Sequence, residues 1–138
     1  MIKKINHIGI AVKSIADSIS FYKDILKLKY LGIETVPEQK VRVAMFQIGE
    51  VNIELLEPTV PESPVAKFLE KRGEGIHHIA YQTENIDKTI ETLIQSGIEM
   101  IDTESRQGAH ECRIAFIHPR SSMKILTELC EVKGEAHE

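Results

Sequence analysis

No tryptophan, only two cysteines, few aromatics and no long apolar run distinguish this chain first by what it does without. Cys112 and Cys130 cannot make a disulfide framework, so a reducing cytoplasm is the simplest expected compartment. Apolar stretches of a few residues are too short to span a bilayer, which takes about 20. Met1-Ile2-Lys3-Lys4 leads straight into a strand-like segment rather than a signal-peptide core. Positive charge is also short: 17 Lys and Arg against 21 Asp and Glu leave a net charge of −4. That balance gives no electrostatic footprint for nucleic acid, so neither nucleic acid nor membrane is an expected partner. A length of 138 residues with 42% hydrophobic content fits one domain in which two small repeats share a core.

What is present is a duplicated pattern. The first copy has Asn6-His7-Ile8-Gly9-Ile10-Ala11-Val12 and then, 47 positions beyond His7, Glu54 within Ile53-Glu54-Leu55-Leu56-Glu57. The second has His77-His78-Ile79-Ala80-Tyr81 and, 50 positions beyond His78, Glu128 within Thr127-Glu128-Leu129-Cys130-Glu131. Shifting by 71 places His7 on His78, Gly9 on Ala80, Ile15 on Ile86 and Ile19 on Ile90. Each half reads as β-α-β-β-β. In the first, a strand over 5–12 precedes a helix capped by Ser14 and running to about Leu28, with Ile15, Ile19, Tyr22 and Leu26 at helical spacing. Strands near 29–36, 41–48 and 51–57 follow, with a turn at 37–40. In the second, a strand over 76–82 precedes a helix capped by Asn85 and stopped by Gly97, then strands near 98–103, 112–118 and 123–131. Between them, Ser63 can cap a short helix with Pro64 at its first position.

The expected fold class is therefore α+β. Two tandem βαβββ modules pair into a curved mixed sheet around a metal-binding concavity, with helices outside. Module one spans about 3–57, the linker 58–74, module two 75–131 and a tail 132–138, all within one domain. Neither module alone buries its sheet, so each needs its twin.

Strand alternation decides which side chains share a face. His7 shares its side with Gly9 and Ala11, and His78 with Ala80 and Gln82. Glu54 faces away from Ile53 and Leu55; Glu128 faces away from Ile125 and Leu129. Two imidazoles and two carboxylates form a mixed N/O donor set for one divalent ion such as Zn, Co, Ni, Mn or Fe. Any one of these residues alone reads as an ordinary core histidine or a partnered carboxylate. Four in matched positions of a repeat point to a site, since inward polar groups are costly to bury without partners. His77 falls on the opposite face and reads as structural. Glu38 sits in a turn, Gly108-Ala109-His110 reads as a loop that can cover a substrate, and both thiols read as inert.

The segments His7 to Val12, Glu54 to Pro58, Ser63 to Tyr81, Gly108 to His110 and Phe116 to Pro119 resemble methylmalonyl-CoA epimerases. Those enzymes are members of the vicinal oxygen chelate superfamily. The likeness covers about residues 3–131. It implies that His7, Glu54, His78 and Glu128 bind the metal, and it raises Glu38 to a candidate acid/base. It implies an acyl-CoA substrate, an edge-paired homodimer, and epimerisation of methylmalonyl-CoA at C2 through an enolate. Inversion requires groups on both faces of that carbon, and Glu38 with Glu128 is the expected pair. The chain departs from the family where glycine is usual, at Glu111 after Gly-Ala-His and at Met123-Lys124 before the last ligand strand. Two other readings share the fold: a glyoxalase acting on a glutathione hemithioacetal, and a metal-free small-molecule-binding module.

Overall fold

The computed structural model describes residues 1–134, so the expected tail lies outside the described residues beyond Gly134. The chain is α+β. Its elements run β1 (Ile2–Ala11), α1 (Ile15–Ser20), β2 (Lys29–Val36), β3 (Val41–Ile48), β4 (Val51–Pro58), α2 (Pro64–Arg72), β5 (Gly75–Thr83), α3 (Ile86–Gln95), β6 (Arg106–Gln107), β7 (Arg113–Ile117) and β8 (Thr127–Glu131). Contacts divide the chain into two compact units, His7–His77 and Met1–Asn6 with the residues from His78 onward. Among the described residues no helix is long and apolar enough to cross a membrane.

In the unit His7–His77 the strand order is β2-β3-β4-β1. β4 runs parallel to β1, and β2, β3 and β4 form an antiparallel meander. The three meander strands fall where the alternating, β-branched pattern places them. One face of this sheet is apolar: Val12, Ile15, Ala44, Phe46 and Leu55 form a core with Ile10, Ile19, Tyr22 and Ile53 packed on it. Fully burying a side chain such as Phe46 or Leu55 contributes roughly 1.5–3 kcal/mol each. Burial also raises the pKa of the Tyr22 hydroxyl. Ser14 caps α1 as expected, its side chain accepting from the Asp17 amide. The helix does not continue to Leu28, however. After Ser20 it widens into one π-helical turn, Phe21–Ile25, in which the Leu26 amide bonds to the Phe21 carbonyl. The wider turn rotates Leu26 out to 49% exposure, and Leu28 packs on the core instead. Ser63 caps α2 through the Val65 amide, with Pro64 in the first turn.

The other unit has the order β5-β8-β7-β6, again with a parallel pair, β5 and β8, beside antiparallel neighbours. Ile86 and Ile90 of α3 pack on Met100, Ala115, Ile117 and Leu129. Asn85 caps this helix through the Lys88 amide. The β-α-β-β-β order is thus repeated, but the last three strands are cut short. Residues 98–103 do not form the expected strand: they make one bridge, Met100 to Ile117. The Asp102 carboxylate takes the Phe116 amide at 2.8 Å, so a side chain replaces the ladder bond there. The last strand starts at Thr127 rather than near 123, because a 3₁₀ turn at Pro119–Ser121 leads into two left-handed residues, Met123 (φ 56) and Lys124 (φ 68).

Those two residues are the pair that stands where related sequences were expected to carry glycine. A non-glycine residue in the left-handed region costs about 1–2 kcal/mol, against about 0.5–1 kcal/mol for the extra backbone entropy of glycine. The double variant Met123→Gly with Lys124→Gly should therefore be more stable by about 1 kcal/mol, a rise of about 3 °C in thermal unfolding. A fall in the midpoint would mean that Met123, although 86% exposed, contributes more than its strain removes.

Candidate metal centre

The four ligand candidates form two buried pairs, one in each unit. His7 Nδ1 lies 3.3 Å from Glu54 Oε2, with both side chains 7% exposed. His78 Nε2 lies 3.2 Å from Glu128 Oε1, with both 4% exposed. Strand register explains why the same pairing arises twice. In β1 and β4 the partner of Glu54 is Gly9, two residues beyond His7. In β5 and β8 the partner of Glu128 is Ala80, two residues beyond His78. Residues opposite each other in a parallel ladder project to the same face, as do residues two apart. Each histidine is thus diagonal to its glutamate across a small residue, which leaves room for the ring and carboxylate to meet. On the reverse face Leu55 packs in the core beside α1 and Leu129 in the core beside α3, as alternation requires.

The remaining candidates separate clearly. His77 turns away from this face and meets the Phe68 ring of α2 at 5.0 Å between centroids. Glu38 is exposed in the 3₁₀ turn Pro37–Gln39, which Lys40 closes with φ 58. It lacks the burial of the other four. Cys112 and Cys130 are free, and Cys130 is buried with Ala80, Ile114 and Phe116. In the Gly108-Ala109-His110 segment, Gly108 is buried and its amide bonds to the Cys112 carbonyl at 2.8 Å. A Cβ at Gly108 would come within 2.7 Å of Ile114 Cγ2, so glycine is needed for close approach. His110 (φ 54) and Glu111 (φ 59) follow in the left-handed region and are exposed. All three departures from the expected glycines therefore fall at positive φ.

Two residues with a structural part in this centre went unremarked in the sequence. Glu57, three positions after Glu54, accepts the Ile15 amide at the first turn of α1 at 2.7 Å and pairs with Arg42. Glu131, three positions after Glu128, accepts the Ile86 amide at the first turn of α3 at 2.9 Å. The signal was there as a doubled Glu-x-x-Glu, with the first glutamate buried on one face and the second turned to a helix N-terminus on the other. Each second carboxylate satisfies an amide that the helix leaves without an internal partner and sits at the positive end of the helix dipole. It ties the strand that carries a candidate ligand to the helix behind it. Away from both pairs, the hydrogen bond from Arg120 holds the exposed Glu99 carboxyl below its ordinary pKa.

The donor chemistry fits a divalent ion. Imidazoles and carboxylates are ordinary ligands for Zn and its first-row neighbours, and here each His–Glu pair is buried. Burying a carboxylate next to a histidine costs several kcal/mol in desolvation, which a bound cation offsets directly.

Comparison with known proteins identifies a superfamily. Residues 6–116 match the model of the Glyoxalase/Bleomycin resistance protein/Dioxygenase superfamily. An uncharacterized protein of Bacillus subtilis (strain 168) is 49% identical over 134 residues, covering 97% of this chain and 96% of the relative. The ethylmalonyl-CoA/methylmalonyl-CoA epimerase of Cereibacter sphaeroides is 34% identical over 134 residues, covering 96% of this chain and 100% of that enzyme. Among solved structures, a methylmalonyl-CoA epimerase in complex with methylmalonyl-CoA and NH4+ superposes with a TM-score of 0.93 at 35% identity, covering 97% of each chain.

Glu131→Ala removes the carboxylate tie and should destabilise the protein by about 1–2 kcal/mol in chemical denaturation. Glu131→Gln keeps an acceptor oxygen and should lose less. Equal losses in the two variants would show that charge, not the hydrogen bond, holds β8 to α3.

Proposed function

The chain belongs to the Glyoxalase/Bleomycin resistance protein/Dioxygenase superfamily, and from that premise we propose that it epimerises methylmalonyl-CoA at C2. The observation that carries the reading is the repeated register, which buries a His–Glu pair at the same place in both halves of the chain. The epimerases among its relatives and structural neighbours support this choice of substrate. In this reading His7, Glu54, His78 and Glu128 supply the four ligands of one divalent ion. When bound, that ion supplies electrophilic stabilisation of the negative charge that develops on the carbonyl oxygens of the substrate.

The residues of the chain do the rest. C2 lies between a thioester and a carboxylate, so its hydrogen is already acidic, and a carboxylate base suffices to remove it. Glu38, exposed on its turn, takes the proton from one face as a carboxylate base. Glu128, carrying a proton taken from solvent, returns it from the other face and is left as the carboxylate, which completes inversion; Glu38 gives its proton back to solvent. The reverse direction exchanges their roles. The roles are unequal because Glu128 is held by His78, whereas Glu38 stands on a turn with no counterpart at the second pair. A dimeric assembly in the cytoplasm, as the sequence suggested, is part of the same proposal.

Deuterium incorporation at C2 of methylmalonyl-CoA in D₂O, with and without added divalent ions, tests the activity. Metal-dependent exchange is expected. Its absence, with conversion of a glutathione hemithioacetal instead, would replace this reading by the glyoxalase one. His7→Ala and His78→Ala should each lower bound metal well below one equivalent while leaving the far-ultraviolet circular dichroism unchanged. Full occupancy in both would remove the ligand assignment. Glu38→Gln should slow epimerisation by about 10²–10⁴-fold with metal content unaltered, the range typical of a lost general acid/base.

A further inference from the structure

The face that bears the His78–Glu128 pair continues across two more strands to a cation. In the β7–β8 ladder Glu128 is opposite Phe116, and in the β6–β7 ladder Arg106 is opposite Ile114. Ile114 and Phe116 are two apart, so Arg106, Ile114, Phe116 and Glu128 all project to the same side. The side-chain contacts agree. The Phe116 ring meets His78 in a T-shaped arrangement at 5.6 Å between centroids. The Arg106 guanidinium carbon lies 5.6 Å from the centroid of that same ring. Phe116 thus stands between the imidazole of the candidate metal pair and a positive charge. With strands about 4.8 Å apart, β6 and β8 are separated by roughly 10 Å.

Arg106 is also held in place. Asp102 Oδ1 accepts from its Nε at 3.1 Å, while Oδ2 accepts the Phe116 amide at 2.8 Å. This is the contact that interrupts the strand expected over 98–103. One carboxylate therefore fixes both the ring and the guanidinium that packs on it. Among the described residues Asp102 is the only hydrogen-bonded partner of the Arg106 side chain, which is 37% exposed. Tied at Nε, the guanidinium keeps its terminal N–H donors for something else. A planar fork so arranged is suited to a carboxylate or a phosphate.

We propose that Arg106 binds an oxyanion of the acyl-CoA substrate, either the free carboxylate of the acyl group or a phosphate of coenzyme A. This rests on the epimerase reading, and it adds a cationic anchor to the four ligand candidates and Glu38. Arg106 does not take part in proton transfer. It contributes equally to bound substrate and transition state, so its loss appears in KM and not in kcat.

The test uses the metal-loaded enzyme and Arg106→Ala and Arg106→Lys variants. For methylmalonyl-CoA, Arg106→Ala should raise KM about tenfold with kcat within about twofold, and Arg106→Lys should recover part of the loss. Two competitive ligands identify the source of the oxyanion. Methylmalonyl-pantetheine keeps the carboxylate and lacks the phosphates; propionyl-CoA keeps the phosphates and lacks the carboxylate. If Arg106 holds the carboxylate, Arg106→Ala weakens the first ligand and spares the second; if it holds a phosphate, the pattern reverses. Equal weakening of both would mark Arg106 as merely structural and overturn the inference, as would an unchanged KM. A wild-type enzyme that neither exchanges C2 of methylmalonyl-CoA nor binds it would overturn the epimerase reading as well, an outcome distinct from an active wild type with an unaffected variant.

Discussion

Two carboxylates and two imidazoles lie almost entirely out of water in this protein, and placing such groups there carries a desolvation cost. That cost constrains much of the surrounding structure. Each glutamate must sit diagonal to its histidine, which requires a parallel neighbour in one register and no other. A slip of one residue would turn the carboxylate toward the helix side and the leucine beside it toward the histidine. The small residues Gly9 and Ala80 keep the diagonal open. Glu57 and Glu131 hold the ends of the same two strands against helix N-termini. The apolar cores on the reverse face supply the stability against which the buried charge is set.

The repeat is faithful where it serves these pairs and loose elsewhere. The first meander has three strands of eight residues each. Its counterpart is reduced to a two-residue strand and two five-residue strands. The shortening comes with side chains that take over main-chain roles: Asp102 accepts an amide that a strand would have paired, and the same carboxylate orients Arg106 over Phe116. Irregularity also gathers at two loops of this unit, where His110, Glu111, Met123 and Lys124 all adopt positive φ. The half with the less regular ladder thus carries the contacts of Phe116 with His78 and Arg106 on the face of its pair. Such a division is expected when one copy of a duplicated module keeps the scaffold and the other is free to vary.

Much of this could be read from residue order. The three strands 29–36, 41–48 and 51–57 announced themselves by alternation and by the turns between them, and β4 runs only one residue further. The caps Ser14, Ser63 and Asn85 were legible because a short polar side chain before an apolar period has few other uses. The four pair-forming residues were legible because a strand-opening His and a later Glu recur in matched places of the repeat, and His77 was separated from His78 by parity alone. What escaped were features in which a side chain competes with the backbone. The π-helical turn at Phe21–Ile25 preserves the apolar spacing but exchanges Leu26 for Leu28 in the core. The missing strand over 98–103 depends on a single carboxylate finding the Phe116 amide. The second glutamate of each Glu-x-x-Glu looked like ordinary surface charge, because nothing local ties it to a helix 42 or 45 residues earlier.

By itself the sequence determined the order of elements, the face on which each candidate ligand stands and the duplication that relates them. These follow from periods of two and 3.6 residues and from caps, all of them short-range properties of a chain. Only the tertiary structure decided which strand lies beside which and in what register. Hence it alone established that His7 meets Glu54 and His78 meets Glu128, and that Arg106 shares a face with the second pair. The reason is physical: alternation leaves strand partners undetermined, and they are chosen by the long-range burial of one apolar face of each sheet.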